Sequence, residues 1–189
     1  SIDKDAVLRS GIMLPDSIRH LKGKELKNAI PDKIYISLKD MRILTKVDML
    51  MLEMLANCNW ERPLYMAISV GEVSTLKFDH YFVQEGLAFR FTPFDYKKWG
   101  NVKGDNNYAI DVERLYENVM NRYKYGGLDT PGLYLDETTL RTCYYHRRLF
   151  AQLAKELIRQ GDNTRARKVL AYAEQAVPAY NVPETYESG

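Results

Sequence analysis

The spacing of apolar residues changes several times along the chain. Residues 3–11 read as a short helix closed by Gly11. A second short helix is expected after Pro15, with Asp16 or Ser17 as N-cap. Lys22 to Lys33 is polar and ends in the turn signal Ile30-Pro31-Asp32. Ile34-Tyr35-Ile36-Ser37-Leu38 alternates and is rich in strand formers, which predicts a strand. In 45–58, Val47, Leu50, Met51, Met54, Leu55 and Cys58 recur at helical spacing, and Thr45 with Asp48 has the form of a capping box. Met49 and Leu52 broaden the stripe, so this helix is expected to be buried on more than one side. The apolar run Pro63–Val70, ended by Gly71, predicts a buried strand. Strand, helix and strand in this order have the length of a right-handed crossover unit.

A further strand is expected at 81–92, with Gly86 marking a bulge, and a polar loop at 95–108. Val112, Leu115, Tyr116, Val119, Met120 and Tyr123 form one face of a helix at 112–124, capped by Asp111 and stopped by Gly126-Gly127. Leu128 to Leu135, with Pro131 and Gly132, reads as a linker.

Two more helices follow. Leu140, Cys143, Tyr144, Phe150, Leu153, Ala154, Leu157 and Ile158 line the first, and Gly161-Asp162-Asn163 breaks it. Ala166, Val169, Leu170, Ala173 and Ala176 line the second, and Pro178 ends it. The small residues Ala154, Ala166 and Ala173 allow close helix approach, and Gly161 permits a left-handed helix end. The spacing of Ala154, Gly161, Ala166, Leu170, Ala173 and Pro178 resembles one tetratricopeptide repeat, with Phe150 where that pattern often has Trp. A single repeat cannot bury both its faces, so the hairpin has to pack on another element or on a partner. The expected fold is therefore α+β: a small mixed sheet with a βαβ-like unit, then helices ending in a tetratricopeptide-like hairpin. The expected division is an α+β body at 1–127, a linker at 128–138 and the hairpin with its tail at 139–189.

Composition narrows the function. The 189 residues carry a net charge of +2 with both signs interspersed, which gives no electrostatic footprint for nucleic acid. No stretch approaches the ~20 apolar residues of a membrane span. Ser1 opens the chain without a signal-peptide pattern, and a preceding region of the parent protein is expected. Cys58 and Cys143 are too few for a disulfide framework and read as buried thiols. Fourteen Tyr suit half-buried positions with the ring inside and the hydroxyl in water.

Candidate chemistry is sparse. His20, His80 and His146 are scattered, without metal-ligand spacing, and no nucleophile elbow, phosphate loop or dinucleotide fingerprint occurs. Asp3-Lys4-Asp5 reads as capping charge, and Glu53, Glu85 and Glu117 are isolated carboxylates. No catalytic residue, metal site or cofactor is expected. The candidate binding set is aromatic and basic: Trp60, Arg62, Tyr65, Tyr81, Phe82 and Arg90 flank the predicted strands. Stacked Trp or Tyr with Arg suits a sugar or a lipid headgroup; the plainer reading is an Arg stem packed over core-rim aromatics.

Three runs carry a family resemblance. The first is Leu44-Thr45-Lys46 through Asp48, continued by Leu55-Ala56-Asn57-Cys58-Asn59-Trp60-Glu61-Arg62-Pro63-Leu64-Tyr65-Met66-Ala67. The second is Tyr81-Phe82-Val83-Gln84-Glu85-Gly86-Leu87-Ala88-Phe89-Arg90, and the third Tyr134-Leu135-Asp136-Glu137. Over roughly residues 34–180 the chain resembles the C-terminal soluble region of a family of multi-spanning Bacteroidetes membrane proteins, related to protein O-mannosyltransferases and other C-type glycosyltransferases. Residues 1–33 lie outside the resemblance. It implies a parent that uses lipid-linked sugars, with its catalytic acid in a membrane region absent from this chain, and a soluble domain on the periplasmic face. Asp16-Ser17-Ile18 also has the form of the Asp-Ser/Thr-apolar acceptor of Bacteroidetes protein O-glycosylation.

The expected function is accessory: a non-catalytic domain of a membrane glycosyltransferase-like protein, for scaffolding or for presenting acceptors. Its expected partners are its own transmembrane region and a protein held by the hairpin. The alternatives are an independent tetratricopeptide-type interaction module and a soluble enzyme.

Overall fold

The computed structural model describes residues 2–36, 38, 43–70, 78–100 and 108–183. The architecture is mixed α+β, with a four-stranded sheet and a C-terminal helical pair. The chain divides into two compact units. Unit 1 is Ser1–Gln84 with Ala88–Ile110, and unit 2 is Glu85–Leu87 with Asp111–Gly189.

In unit 1, α1 (Lys4–Arg9) starts where the Asp3 side chain accepts hydrogen bonds from the amides of Asp5 and Ala6, each at 3.0 Å. Asp3-Lys4-Asp5 therefore performs the capping read from the sequence. The expected helix after Pro15 is instead a run of turns, closed by Ile18 N–H to Pro15 O at 3.0 Å. A helix forms later, as α2 (Gly23–Ala29), within the stretch read as merely polar. Helix α3 (Lys46–Ala56) carries the predicted capping box: Thr45 Oγ1 accepts from the Asp48 amide, and Asp48 Oδ2 accepts from the Thr45 amide at 2.8 Å.

The strands are β1 (Tyr65–Ala67), β2 (Phe82–Gln84), β3 (Ala88–Phe91) and β4 (Ala109–Ile110). Their order is β1-β3-β2-β4, with β3 antiparallel to both neighbours and β2 parallel to β4. Three strand expectations are corrected. Residues 34–36 and 38 form no strand, Ser37 lies outside the described residues, and Tyr35 is largely exposed. The βαβ-like unit is therefore not formed among the described residues: β1 takes its hydrogen bonds from β3. The run at 63–70 is a short, largely exposed edge strand that turns into a 3₁₀ helix at Ile68–Val70. The run at 81–92 is a hairpin, not one bulged strand, because Gly86 sits in the connection at φ +154°. Of the expected polar loop at 95–108, residues 101–107 lie outside the described residues, while Tyr96 within it, like Phe94 just before it, is buried.

The core of unit 1 is aromatic. Phe91 lies 5.7 Å from Trp60, 5.5 Å from Phe82 and 6.3 Å from Tyr81, measured between ring centroids. Helix α3 departs from expectation. Met51, Leu52 and Leu55 face this core, but Met49, Leu50 and Met54 are 61, 60 and 57% exposed. The broadened stripe predicts burial on more than one side; of the two residues that broaden it, Leu52 packs against the core and Met49 is exposed.

Unit 2 begins with α4 (Val112–Glu117), which the sequence reading had placed in the α+β body. It continues as a π-helical stretch, Asn118–Arg122, closed by Tyr123 N–H to Asn118 O at 2.8 Å. Val112, Leu115 and Val119 are buried, as the predicted face requires. The turn at 126–130 is tied down by Asn181, whose Nδ2 donates to Leu128 O at 2.7 Å and Thr130 O at 2.6 Å. Helix α5 (Glu137–Arg159) starts on Asp136, which accepts from the amides of Thr138 and Thr139. Gly161, at φ +83°, reverses the chain into α6 (Asn163–Ala176), capped by Asp162. Phe150, Leu153, Ala154 and Leu157 of α5 and Ala166, Val169 and Ala176 of α6 are buried, whereas Ile158 and Leu170 are exposed.

Gly86 marks the tightest point of unit 2. A Cβ there would collide with the Tyr123 hydroxyl, and the backbone conformation disfavours any other residue. Gly86→Ala is expected to destabilise the chain by about 1–3 kcal/mol, read from urea unfolding, while Gly132→Ala, at an open turn, loses less.

Candidate functional site

The predicted aromatic and basic set does not gather on one surface. Its placement starts at the end of α3, where Asn57 N–H returns to Glu53 O at 3.0 Å and its Nδ2 donates to the same oxygen at 2.9 Å. Asn59 then accepts from the Glu61 amide at 3.3 Å. Between them Trp60 takes φ +64°, a left-handed conformation that is uncommon for a bulky residue. This turn sends the indole inward, where it stacks on Phe91 at an interplanar angle of 17° and is only 5% exposed. Two residues on, Arg62 is exposed.

Tyr65 and Arg90 do meet. They are register partners across β1 and β3, and the guanidinium carbon lies 6.0 Å from the Tyr65 ring centroid. Tyr65 is about half exposed, but Arg90 is buried and donates to Ser10 O at 2.6 Å and Gly11 O at 3.5 Å. Tyr81 and Phe82 are buried beside Phe91. Tyr81 donates its hydroxyl to Tyr35 O at 3.3 Å, and burial, with Asp95 nearby, pushes its pKa upward. Of the set, Arg62 and Tyr65 are the exposed members, while Trp60, Tyr81, Phe82 and Arg90 are buried.

A feature absent from the sequence reading lies beside Trp60. A cleft of about 420 Å³ opens between residues 32–36, the C-terminal half of α3 and the Trp60–Phe91 stack. Ile34, Ile36, Leu52 and Leu55 line it, with Cys58 in its wall. Its charged members are Asp32 and Lys33. Asp32 pairs with Lys4 at 2.8 Å, and this hydrogen bond and charge hold its carboxyl below the usual range. The volume falls in the range of small-ligand sites, and the lining mixes apolar side chains with polar surface. Part of its signal was the alternation in this run: Ile34 and Ile36 line the cleft and join no strand.

Elsewhere on α3, Met49, Leu50 and Met54 are exposed. Ile43, Leu44 and Val47 add to the exposed apolar surface around the start of the helix. Exposed apolar residues are ordinary on a protein surface, and the charged Lys46 and Glu53 are exposed among these. Among the described residues, no three His, Cys, Asp or Glu side chains gather in a way that could hold a metal ion. No helix of the described residues is long and apolar enough to cross a membrane.

The comparisons with known proteins fall onto this geometry. The family model of TMEM260-associated domain 2 matches residues 1–113. The chain belongs to that family. TMEM260 is a membrane-associated family related to the protein O-mannosyltransferases, so the glycosyltransferase link drawn from the sequence holds at this coarser level. The match includes residues 1–33, which the resemblance had left out, and it ends three residues beyond the last residue of unit 1, Ile110. The matched residues thus cover the sheet and α3, while the hairpin lies outside the match. No curated protein and no solved structure matches the chain.

Trp60→Ala is expected to lower stability by about 3–5 kcal/mol, as for other large aromatic deletions in cores, while Arg62→Ala stays within about 0.5 kcal/mol. Chemical unfolding of both variants checks this. Equal, small effects would return Trp60 to the surface.

Proposed function

We propose that this chain is a non-catalytic accessory part of a membrane-bound glycosyltransferase-related protein, and that unit 1 attaches or steadies it through the exposed face of α3. The observation that carries the reading is the coincidence of the TMEM260-associated match with unit 1. Burying three side chains of the size of Met49, Leu50 and Met54 yields several kcal/mol at about 25 cal/mol per Å², enough to hold a unit already tethered to its partner by the chain. The natural counterpart is the apolar surface of the parent's membrane region. Placement on the periplasmic face, in a Bacteroidetes protein, follows from the resemblance of the three sequence runs.

The hairpin supplies a second surface. Its tetratricopeptide-like spacing, together with exposed Ile158 and Leu170, supports a role in holding an acceptor or partner protein. The hairpin's position outside the matched residues favours, as the alternative, an interaction module with its own partner.

Sugar transfer from a lipid-linked donor separates these readings. The parent without this chain, the chain alone, and the two together are assayed side by side. Transfer restored only by the combination is expected, and transfer by the chain alone contradicts the non-catalytic role. In the intact parent, the triple change Met49→Ser, Leu50→Ser, Met54→Ser is expected to leave the fold in place, since these residues lie outside the core, yet to lower transfer by about tenfold or more.

A further inference from the structure

His146, on α5, sits in an enclosure with no role in the reading above. Its ring lies edge-on to Tyr123 at 5.9 Å and to Tyr125 at 5.2 Å, both at the end of the π-helical stretch. Its Nδ1 is buried and has no hydrogen-bond partner among the described residues. The groups that face it offer little to a cation. The Tyr125 hydroxyl donates to Val119 O at 2.7 Å, and the Tyr123 hydroxyl accepts from Leu87 N–H at 2.9 Å. Tyr172 of α6 stands behind Tyr125, edge-on to its ring at 6.0 Å. On α5 itself, Cys143 is a thiol whose pKa burial raises, and Arg147 is a second cation that donates to Val177 O at 3.0 Å.

The consequence is asymmetric. A neutral imidazole can leave Nδ1 as a bare acceptor, so only a lone pair is stranded. A protonated ring places a charge and an N–H in the same enclosure, which is far less favourable without an acceptor. Burial alone lowers the pKa of His146 below its usual value. The segment that faces it is already a marginal element, since π-helical turns are rare and poorly favoured.

We propose that His146 makes the packing of residues 118–125 against α5 acid-labile: the neutral ring holds the segment in place, and a single proton releases it. The affected contacts are local and named. Loss of the Tyr123 and Tyr125 rings from His146 frees the hydroxyl that fixes the Leu87 amide and loosens the aromatic group of Tyr125, Phe150 and Tyr172.

The sign is fixed by the direction of the shift. Unfolded, His146 binds its proton near pH 6.5; folded, it does so only at lower pH. Its contribution is complete above about pH 6.5 and is lost as pH falls toward the folded value. In that window the unfolding equilibrium rises by up to about tenfold per pH unit. The test compares the whole chain with His146→Gln from pH 7.5 to 5, using urea unfolding and amide hydrogen exchange. The native chain is expected to lose stability toward pH 5 more steeply than His146→Gln, and exchange at 118–125 to rise before exchange at 163–176. Parallel pH profiles, or a uniform rise in exchange, overturn the proposal. Should the variant fail to fold, the ring-proton titration of His146 in the native chain decides: a value at or above 6.5 overturns it, and a lower one supports it.

Discussion

Arg90 and Phe91 are neighbours on β3, so their side chains leave opposite faces of the sheet, and unit 1 has to satisfy both. Phe91 collects the rings of Trp60, Tyr81 and Phe82. Each such aromatic pair adds about 0.5–1.5 kcal/mol beyond simple burial. Arg90 brings a charge into the interior, where an uncompensated cation costs several kcal/mol. The carbonyls of Ser10 and Gly11, where α1 ends, meet that charge, and the Tyr65 ring covers the guanidinium. The N-terminal segment is thus pinned to the sheet by a cation, and the Trp60 turn by a ring. The cleft and α3 lie where these two attachments leave them.

Local signals in the sequence were read correctly where the physics is local. The Thr45–Asp48 box, the Asp3 and Asp111 caps and the Gly161 reversal all depend on residues close together along the chain. The hairpin was legible because its apolar stripe and its breaker agree. Long-range pairing was not. Whether Ile34–Leu38 becomes a strand depends on whether a sheet edge is free, and nothing in those five residues records that β1 pairs with β3 instead. The same limit hid the cleft, which is made by residues about 60 positions apart, Ile34 to Phe91. The predicted aromatic and basic set misled for a related reason. Aromatic and Arg side chains at strand ends serve a core as readily as a ligand, and the left-handed turn at Trp60, which turns the ring inward, leaves no mark in composition.

Helix α3 is the point at which fold and function meet. A helix that packs Met51, Leu52 and Leu55 on the core and leaves Met49, Leu50 and Met54 outside is unfavourable for an isolated unit in water, and reasonable for a unit that works against an apolar surface. The family match spans α3 and ends as unit 1 ends. Met49 and Met54 suit such a contact, because Met fills irregular gaps without a strict shape requirement. Unit 2 contributes a different kind of element: a tightly closed hairpin and, beside it, a π-helical segment held by rings and one buried imidazole.

The most direct measurement is amide hydrogen exchange on residues 46–56, in the chain alone and in the intact membrane-bound parent. If α3 meets the rest of the parent, exchange there slows in the parent while exchange at the already buried β2 and β3 stays the same. Equal exchange at 46–56 in both settings would contradict the contact.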